Sequence, residues 1–488
     1  MSVAAELKFE TVIGLEVHAQ LLTRSKMYCS CSADYANADP NTHTCPVCLG
    51  LPGAMPVMNR AAIEGAMLTG IALDCEVPPF CKLDRKNYGY PDLPKGYQIS
   101  QYDLPLCING VLEFTSGGET VRAGITRVHI EEDTGRLVHR TGASGDISLV
   151  DLNRSGVPLM EIVGEPDLRS PEQARDYLMS LRQILRYIGV STGNMEDGAF
   201  RCDANISIRS TDGSVVGRKV EIKNMNSFRA VERALRYEEQ RQREAIIVDG
   251  EIPQETRGWV EARGITVSQR TKEQAHDYRY FPEPDLPPLN VDDAWVADVR
   301  SRLPELPAAR FQRFVSEYGL SPDDASTLTA EQKLADQYEE AVGGDLTSAK
   351  SVANWVINDG LGLARARGLD ADQLPFSAAQ LRELMDAVAK NEVTMRAARE
   401  LLPQLEAGES PRAAARRLNL LSLDDSDALA AAVSATIAAN PAAVADYRGG
   451  KKAAIGRLIG ETIKATGGRA NPDSVRALLI EALEGGND

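Results

Sequence analysis

This sequence contains no long apolar run, although 43% of its 488 residues are hydrophobic. No stretch reaches the roughly 18 apolar residues that a transmembrane helix needs. The first residues also lack a basic segment followed by an apolar one, as a secretory signal peptide would have. We therefore expect a cytoplasmic protein with packed cores. At about 150 residues per domain, the length suggests roughly three domains.

Basic residues are in the minority. The sequence has 54 Lys and Arg against 70 Asp and Glu, which gives a formal net charge of −16. Nonspecific affinity for nucleic acid depends on an excess of Lys and Arg that neutralises phosphates. The charge balance therefore argues against a protein that coats nucleic acid, but it leaves room for a local basic patch.

Several well-known catalytic motifs are missing. The nearest approach to a P-loop, Gly449-Gly450-Lys451, lacks the first glycine and the Ser or Thr after the lysine. There is no His-Glu-x-x-His and no Gly-x-Ser-x-Gly, so hydrolysis by a Ser or Cys nucleophile is disfavoured. The remaining candidates for catalytic groups are acidic and basic residues. These suit phosphoryl transfer, which needs carboxylates for magnesium and cations to hold phosphates.

Four of the eight cysteines lie in two close pairs, Cys29 with Cys31 and Cys45 with Cys48. Four thiolates suit tetrahedral zinc, and four protein ligands leave no open position for catalysis. We predict a closed structural zinc site, with buried free thiols as the alternative. We expect the scattered remaining cysteines to act as small buried hydrophobes; they are Cys75, Cys81, Cys107 and Cys202.

Polar and apolar residues alternate along strand-like segments of the first 290 residues. In 12–21, Glu16, His18 and Gln20 fall on one side and apolar residues on the other. The segments 203–208 and 219–223 repeat this pattern. An ordinary solvated sheet face also alternates, but acids, a histidine, amides and lysines favour a working surface.

The acids on these segments are the candidate metal ligands. Glu132 and Glu161 lie in largely apolar surroundings, where a carboxylate stays ionised only if it is paired or bound to a metal. For each acid alone, a salt bridge explains the position equally well. As a set we predict a metal and nucleotide site; the set comprises Glu16, His18, Glu132, Glu161, Asp203 and the run Asp84-Arg85-Lys86.

The chain divides by pattern into an α+β front part and a helical remainder. Residues 1–292 combine strand alternation with helices after Ser170 and Ser227, which we expect to cover the apolar face of a sheet. Residues 293–409 read as successive helices, one of them capped by Ser377 with Gln380 three positions later. Residues 410–488 form an Ala-rich helical tail.

The tail is electrostatically distinct. Residues 411–488 hold 10 Lys and Arg against 9 Asp and Glu. The segment 447–469 is basic and rich in glycine, which lets the backbone approach a phosphate chain. A solvated helix face is the alternative, but RNA contact is our preferred interpretation.

Six motifs resemble those of a known family, the B subunits of bacterial aspartyl/glutamyl-tRNA amidotransferases. The resemblance runs through the whole chain; the motifs are Glu10–His18, Asp84–Tyr88, Tyr97–Gln101, His129–Asp133, Arg201–Ser207 and Asp277–Asp285. It implies a cradle domain, similar in part to glutamine synthetase with a mainly antiparallel sheet, followed by all-α domains. It also implies a heterotrimer with an amidase (glutaminase) A subunit and a small C subunit.

The resemblance further implies an activity. The family uses ATP to phosphorylate the side-chain carboxylate of misacylated Glu-tRNA(Gln) or Asp-tRNA(Asn). Ammonia from the A subunit then converts the acyl phosphate to the amide. The tail would contact the tRNA. Which of the two tRNAs this chain serves does not follow from the sequence.

Residue roles carried over from the family place Mg²⁺ on His18, Glu132 and Glu161. Glu16 and Asp203 would lie near a second cation, and one of them would accept a proton from ammonia. Lys86 would face ATP phosphates or the substrate carboxylate, with Arg85 beside it in the nucleotide site. Zn²⁺ on Cys29, Cys31, Cys45 and Cys48 would be structural.

Two rival functions stay open at this point. A non-catalytic scaffold could present tRNA to another enzyme through the zinc site and the tail, with the acids serving only in salt bridges. A free-standing ligase could act on a small amino acid. The helical tail argues against the second, since a small substrate does not need it.

Overall fold

The computed structural model describes residues 8–142, 145–211, 217–249, 251–271, 275–422 and 426–484. The chain forms two compact units, Met1–Ala309 and Arg310–Asp488. Strands occur in the first unit, and the described part of the second is helical. The predicted α+β class is confirmed. The division into 1–292, 293–409 and 410–488 stays a prediction.

The strands vary widely in length, and the longest cross the centre of the first unit. They are β1 (Phe9–Gln20), β2 (Phe80–Cys81), β3 (Asp84–Asn87), β4 (Tyr97–Ser100), β5 (Cys107–Ser116), β6 (Glu119–Glu132), β7 (Arg136–Gly142), β8 (Gly145–Asp151), β9 (Pro158–Gly164), β10 (Phe200–Ser210), β11 (Val220–Lys223), β12 (Glu255–Val260), β13 (Ile265–Thr271), β14 (Phe281–Pro282) and β15 (Leu289–Asn290).

An eight-stranded sheet organises the first unit, in the order β13-β12-β11-β10-β1-β9-β6-β5. Its neighbouring strands are antiparallel except for the parallel pair β11–β12. The prediction of a mainly antiparallel sheet is therefore confirmed. A smaller sheet, β14-β3-β4, carries the Asp84–Tyr88 motif. The strands β7 and β8 form a separate hairpin.

Helices α1 (Arg60–Ala72), α2 (Pro171–Tyr187) and α3 (Phe228–Asp249) cover the apolar face of the large sheet, and α4 (Asp293–Ser301) packs against α1. Side chains such as Leu15 on β1, Leu181 on α2 and Leu235 on α3 share one buried core. The predicted helices after Ser170 and Ser227 are both present. With one face closed by helices, the opposite face of the sheet is left to its polar side chains.

The second unit contains two separate apolar cores, one around Phe314, Tyr338 and Leu384 and one around Val433, Leu458 and Leu479. Its helices are α5 (Pro307–Ser316), α6 (Pro322–Leu328), α7 (Gln332–Val342), α8 (Ala349–Asn354), α9 (Leu361–Ala366), α10 (Ala378–Ala389), α11 (Met395–Leu401), α12 (Pro411–Arg417), α13 (Ser426–Ala439), α14 (Pro441–Arg448), α15 (Ile455–Ala465) and α16 (Pro472–Glu484).

Short non-α helical segments complete the architecture. A π-helical segment, Trp355–Gly360, joins α8 to α9, and 3₁₀ turns cover Ala275–Tyr278, Leu346–Ser348, Leu402–Gln404 and Lys452–Ala454. The predicted capping box is present at α10, where Ser377 and Gln380 each bond the other's backbone N–H. No single helix of the described residues is long and apolar enough to cross a membrane; only the pair Ala428–Ala439 and Pro441–Arg448, bent by 91°, reaches that length and composition together.

Helix α2 offers a matched test of the core. Leu181 is completely buried, whereas Met179, two residues earlier, is 51% exposed. We predict that Leu181→Ala lowers the free energy of unfolding by about 2–5 kcal/mol, because it removes buried methyl groups and leaves a cavity. Met179→Ala should change it by no more than about 0.5 kcal/mol. Urea unfolding followed by circular dichroism measures both, and equal effects would contradict this packing.

Candidate active site and cysteine cluster

Polar side chains form a row across three central strands of the large sheet. His18 on β1 lies opposite Glu161 on β9, and Glu161 lies opposite His129 on β6. Opposite residues of an antiparallel pair share one face of the sheet. The strand neighbours Val17 and Ile162 point to the other face and are buried in the core. The alternation of the sequence therefore separates a helix-covered apolar face from a polar one.

His18, Glu131 and Glu161 come together in a cluster that could hold a metal ion. Nε2 of His18 lies 3.7 Å from a carboxylate oxygen of Glu131 and 3.7 Å from one of Glu161. One potential ligand atom of each residue lies within 4.8 Å of the others. One imidazole and two carboxylates form a donor set for a divalent cation; the carboxylates suit magnesium or manganese, whereas imidazole is an uncommon ligand of magnesium.

Two cations compensate these buried carboxylates. Nε2 of His129 lies 3.1 Å from Glu161 and 3.5 Å from Glu131, and Nζ of Lys86 lies 3.8 Å from Glu131. Burial alone would raise the pKa of Glu131, but Lys86 and His129 outweigh it and lower that pKa to about 2. Burial would lower the pKa of His129, yet Glu161 and Glu131 raise it. Both carboxylates are therefore ionised and available as ligands.

Glu131 also has fixed neighbours on β4. Oγ of Ser100 donates to one carboxylate oxygen at 2.7 Å, and Nε2 of Gln98 donates to the other at 3.1 Å. These bonds hold the carboxylate in one orientation. Such support from surrounding donors is typical of metal-binding carboxylates.

The structure places Glu131, rather than the predicted Glu132, beside His18 and Glu161. Glu132 shares its side of β6 with Val128 and Ile130, so it lies on the opposite face from Glu131. Its carboxylate forms an ion pair with Lys95 and accepts a hydrogen bond from the Ile99 backbone N–H at 3.0 Å. The sequence analysis expected Glu132 to be either paired or bound to a metal. In the structure it is paired, with the ammonium group of Lys95. A metal-binding role for Glu132 stays a prediction.

Glu16 and Asp203 lie opposite each other on β1 and β10, in a network beside the cluster. Glu16 accepts a hydrogen bond from the Asn205 amide at 2.8 Å. Asp203 forms an ion pair with Lys223, whose Nζ lies 3.6 Å from Glu221. A second metal ion on Asp203 would have to compete with this lysine.

A cavity of about 250 Å³ opens on the polar face next to Glu16. It is lined in part by Thr126, Asn205, Ser207 and Lys219. The cavity gives room for a ligand beside the two carboxylate networks.

Lys86 and Arg85 are neighbours on β3 but have different partners. Lys86 lies next to Glu131, and its Nζ is 5.1 Å from the centre of the Tyr278 ring. Arg85 donates two hydrogen bonds of 2.7 Å to the buried carboxylate of Glu283 and lies over the Tyr97 ring at 4.2 Å. Arg85 thus attaches the 281–285 segment to β3, and its proposed contact with nucleotide stays a prediction.

Sequence reasoning missed His129, Glu131 and Arg127 as members of the polar face. Their spacing of two along β6 was the available signal, since it assigns all three to one side of a strand. Arg127 lies opposite Val163, which in turn lies opposite Glu16. Its Nε is buried and has no hydrogen-bond partner among the described residues. A partly buried guanidinium in this position is suited to an anionic ligand.

The four predicted zinc cysteines also come together. Their sulfur atoms lie within 4.8 Å of one another, with Cys29 to Cys48 at 3.6 Å and Cys45 to Cys48 at 3.7 Å. Tetrahedral zinc with bonds of about 2.3 Å would require sulfur separations of about 3.8 Å. The cluster therefore has the geometry to hold a metal. The other four cysteines are buried free thiols, as predicted.

The thiols of this cluster differ in their pKa values. A hydrogen bond from Cys29 and the nearby ammonium group of Lys26 lower the pKa of Cys48 to about 4, against the effect of burial. Burial raises the pKa of Cys31 to about 11. Cys48 is thus the cysteine of the cluster whose surroundings most favour the thiolate, the form that binds metal.

Comparison with known proteins decides the family. A family described as the GatB/GatE catalytic domain matches residues 11–297, and one described as the GatB domain matches residues 336–483. The chain belongs to the GatB family. The B subunit of the aspartyl/glutamyl-tRNA(Asn/Gln) amidotransferase of Thermomicrobium roseum is 58% identical, covering 98% of this chain and 99% of the relative. The proteins of the same name from Dehalococcoides mccartyi and Carboxydothermus hydrogenoformans are 52% and 50% identical, with similar coverage.

The resemblance seen in the six motifs is therefore confirmed over nearly the whole chain. The GatB/GatE catalytic match spans both the His18–Glu131–Glu161 cluster and the four cysteines. The prediction of a catalytic amidotransferase subunit is confirmed with it. The residues that carry catalysis, by contrast, rest on the geometry described above.

Adjacent substitutions on β6 distinguish the two candidate ligands. We predict that Glu131→Gln weakens Mn²⁺ binding at least tenfold, because it removes one anionic ligand from the cluster. Glu132→Gln should leave Mn²⁺ affinity within about twofold. Since it leaves the buried Lys95 ammonium without its partner, it should lower the free energy of unfolding by about 3–5 kcal/mol.

Titration of Mn²⁺ by electron paramagnetic resonance measures the affinities, and urea unfolding measures the stabilities. Loss of Mn²⁺ binding in Glu132→Gln but not in Glu131→Gln would contradict the assignment.

Proposed function

We propose that this chain activates and amidates misacylated tRNA. It would use ATP to phosphorylate the side-chain carboxylate of Glu-tRNA(Gln), Asp-tRNA(Asn) or both, and ammonia would then displace the phosphate. The names of the relatives supply the substrates. The observation that carries the proposal is the cluster of His18, Glu131 and Glu161 beside Lys86, which combines metal ligands with a cation on one sheet face.

The chemistry explains why ATP is needed. A carboxylate oxygen is a poor leaving group. Amide formation therefore requires that the carboxylate is first converted to an acyl phosphate, from which phosphate can leave. The carboxylate attacks the γ-phosphorus, the bond to the ADP oxygen breaks, and ammonia later attacks the acyl carbon while phosphate leaves. Magnesium bound by His18, Glu131 and Glu161 would neutralise negative charge that develops on the phosphate oxygens.

Two cations of the polar face would hold the anionic groups in line. Lys86 presents an ammonium group next to the metal cluster, and Arg127 has a buried Nε without a partner in the described residues. Holding phosphate and carboxylate at fixed positions supplies most of the catalysis in phosphoryl transfer. Arg85 would act indirectly, by fixing the segment around Glu283 against β3.

Glu16 is the better placed acceptor for the proton that ammonia releases. The carboxylate of Asp203 is already engaged in an ion pair with the ammonium group of Lys223. Glu16 accepts a hydrogen bond from the Asn205 amide and borders the cavity on the polar face. A general base must reach the proton that it removes, and this position allows it.

The remaining parts of the proposal concern partners and architecture. We infer a cytoplasmic heterotrimer in which an amidase A subunit supplies ammonia and a small C subunit completes the complex. Residues 1–292 would form the catalytic domain, 293–409 a helical domain and 410–488 a tail that contacts tRNA. The four cysteines would hold a structural Zn²⁺, since four protein ligands leave no open position.

ATP turnover by the assembled enzyme tests the function. We predict that Glu-tRNA(Gln) or Asp-tRNA(Asn) stimulates ADP formation, that uncharged tRNA does not, and that Glu131→Gln lowers the stimulated rate at least about 100-fold. The loss of several kcal/mol of charge stabilisation in the transition state accounts for that factor.

Glu113→Gln is the matched control, because this β5 side chain is 61% exposed and lies outside both clusters. A rate of ADP formation that does not depend on aminoacylation of the tRNA, or that is unchanged in Glu131→Gln, would favour the scaffold hypothesis. In that hypothesis the acids serve only as salt-bridge partners.

The tail has its own test. Arg457 and Lys464 are exposed on α15. We predict that Arg457→Gln with Lys464→Gln weakens tRNA binding several-fold and lowers the salt dependence of the association constant by about one for each phosphate that is no longer neutralised. Arg122→Gln in the first unit, where the side chain is 71% exposed, should change neither quantity. Filter binding over a series of salt concentrations measures both, and an unchanged salt dependence would refute tRNA contact through α15.

A further inference from the structure

Lys26 is an unusual lysine because its side chain is completely buried. Its Nζ donates hydrogen bonds to the His43 carbonyl at 2.8 Å, the Leu152 carbonyl at 3.3 Å and Sγ of Cys48 at 3.4 Å. These three acceptors match the three N–H bonds of an ammonium group. The donor is thus satisfied, but its charge still requires an anion.

No carboxylate of the described residues forms an ion pair with Lys26 within 4.0 Å. Two less deeply buried lysines of the first unit differ in this respect: Lys95, 11% exposed, pairs with Glu132, and Lys82, 19% exposed, pairs with Asp84 and Asp103. An unpaired buried charge costs several kcal/mol. Of its three acceptors, Sγ of Cys48 at 3.4 Å is the one that becomes anionic when it binds a metal.

The proposed zinc site needs such a cation as much as the lysine needs an anion. Four thiolates around Zn²⁺ carry a net charge of −2, and donors outside the ligand shell commonly stabilise such sites. Lys26 is the ammonium group that contacts the cluster directly. One buried lysine would reduce the net charge of the centre and its surroundings to −1.

The same side chain joins the cysteine loop to the segment that leads into β9. His43 lies between the two cysteine pairs, and Leu152 precedes Asn153–Val157. The next residue, Met27, donates its backbone N–H to the Gly156 carbonyl at 2.7 Å, and Gly156 donates to the Asp133 carbonyl at 2.9 Å. Lys26 therefore connects the cysteine cluster, through residues 152–157, with the end of the polar face.

Gly156 lies beside the side chain of Lys26. This glycine has φ +84°, and a Cβ atom there would lie 3.6 Å from Cδ of Lys26 and 3.9 Å from a Glu132 carboxylate oxygen. The lysine stem thus packs directly between the cysteine cluster and the neighbourhood of the metal-binding face.

We propose that Lys26 is the counter-cation of the cysteine metal centre and couples metal retention to the order of residues 152–157. It is a positioning residue, since it acts through Cys48 and the loop. The inference rests on the zinc site proposed above. Zinc content of the purified full-length chain, measured by atomic absorption, tests that site separately. Less than stoichiometric zinc in metal-replete protein would reject the zinc site itself.

Zinc retention in Lys26→Met tests the inference in protein that does hold zinc. Methionine keeps a similar volume but removes the charge. We predict that zinc affinity, measured by competition with a chromogenic chelator, falls 10–100-fold, as is typical when a donor to a metal ligand is removed. Lys82→Met is the matched control, because it also removes a largely buried ammonium group, but one that pairs with carboxylates. Wild-type zinc affinity in folded Lys26→Met would overturn the inference.

Hydrogen exchange of the wild-type chain tests the coupling without any substitution, so it decides the matter even if Lys26→Met fails to fold. We predict that removal of zinc by a chelator speeds amide exchange in 152–157 and at Met27 at least tenfold. Exchange in β10, Phe200–Ser210, should be unchanged. Equal protection of 152–157 with and without zinc would overturn the proposal.

Discussion

The ionisation of Glu131 and Glu161 is the constraint on which the candidate site depends. Both carboxylates are buried on the polar face of the sheet, and each has His18 and His129 within salt-bridge distance. The two cations beside them are His129 and, next to Glu131, Lys86. Without these partners, burial would favour the neutral acids, which are poor metal ligands. The cations keep the site charged before any substrate arrives, so little reorganisation is needed when a metal binds.

The fold supplies this arrangement through strand register. Because β1, β9 and β6 are neighbours, three residues distant in sequence form one row, and the helices on the other face keep the sheet rigid beneath them. Sites built on strands hold their side chains more precisely than sites on loops. The small sheet that contains β3 and β4 completes the site. Its strand β3 carries Lys86, and Gln98 and Ser100 on β4 donate hydrogen bonds to the Glu131 carboxylate.

The sequence predicted which types of residue form the site better than it predicted which residues contact one another. Alternation identified β1 and β10, and cysteine spacing identified the cluster around Cys48. The sequence did not identify Glu131 as the neighbour of His18 and Glu161, because adjacent residues of a strand point to opposite faces and a one-residue difference changes the face. The sequence also could not identify the ion-pair partners of Glu132, Asp203 and Arg85. Each lies on another segment, with Arg85 and Glu283 separated by 198 positions, and local patterns carry no signal for such contacts.

The position of a bound metal tests the central claim most directly. Crystals of the assembled enzyme grown with Mn²⁺ and ADP would show the ion by its anomalous scattering. We expect a peak at bonding distance from Nε2 of His18 and from carboxylate oxygens of Glu131 and Glu161. A peak on Glu132, or ordered ADP with no ion at His18, would contradict the assignment of this row as the catalytic metal site.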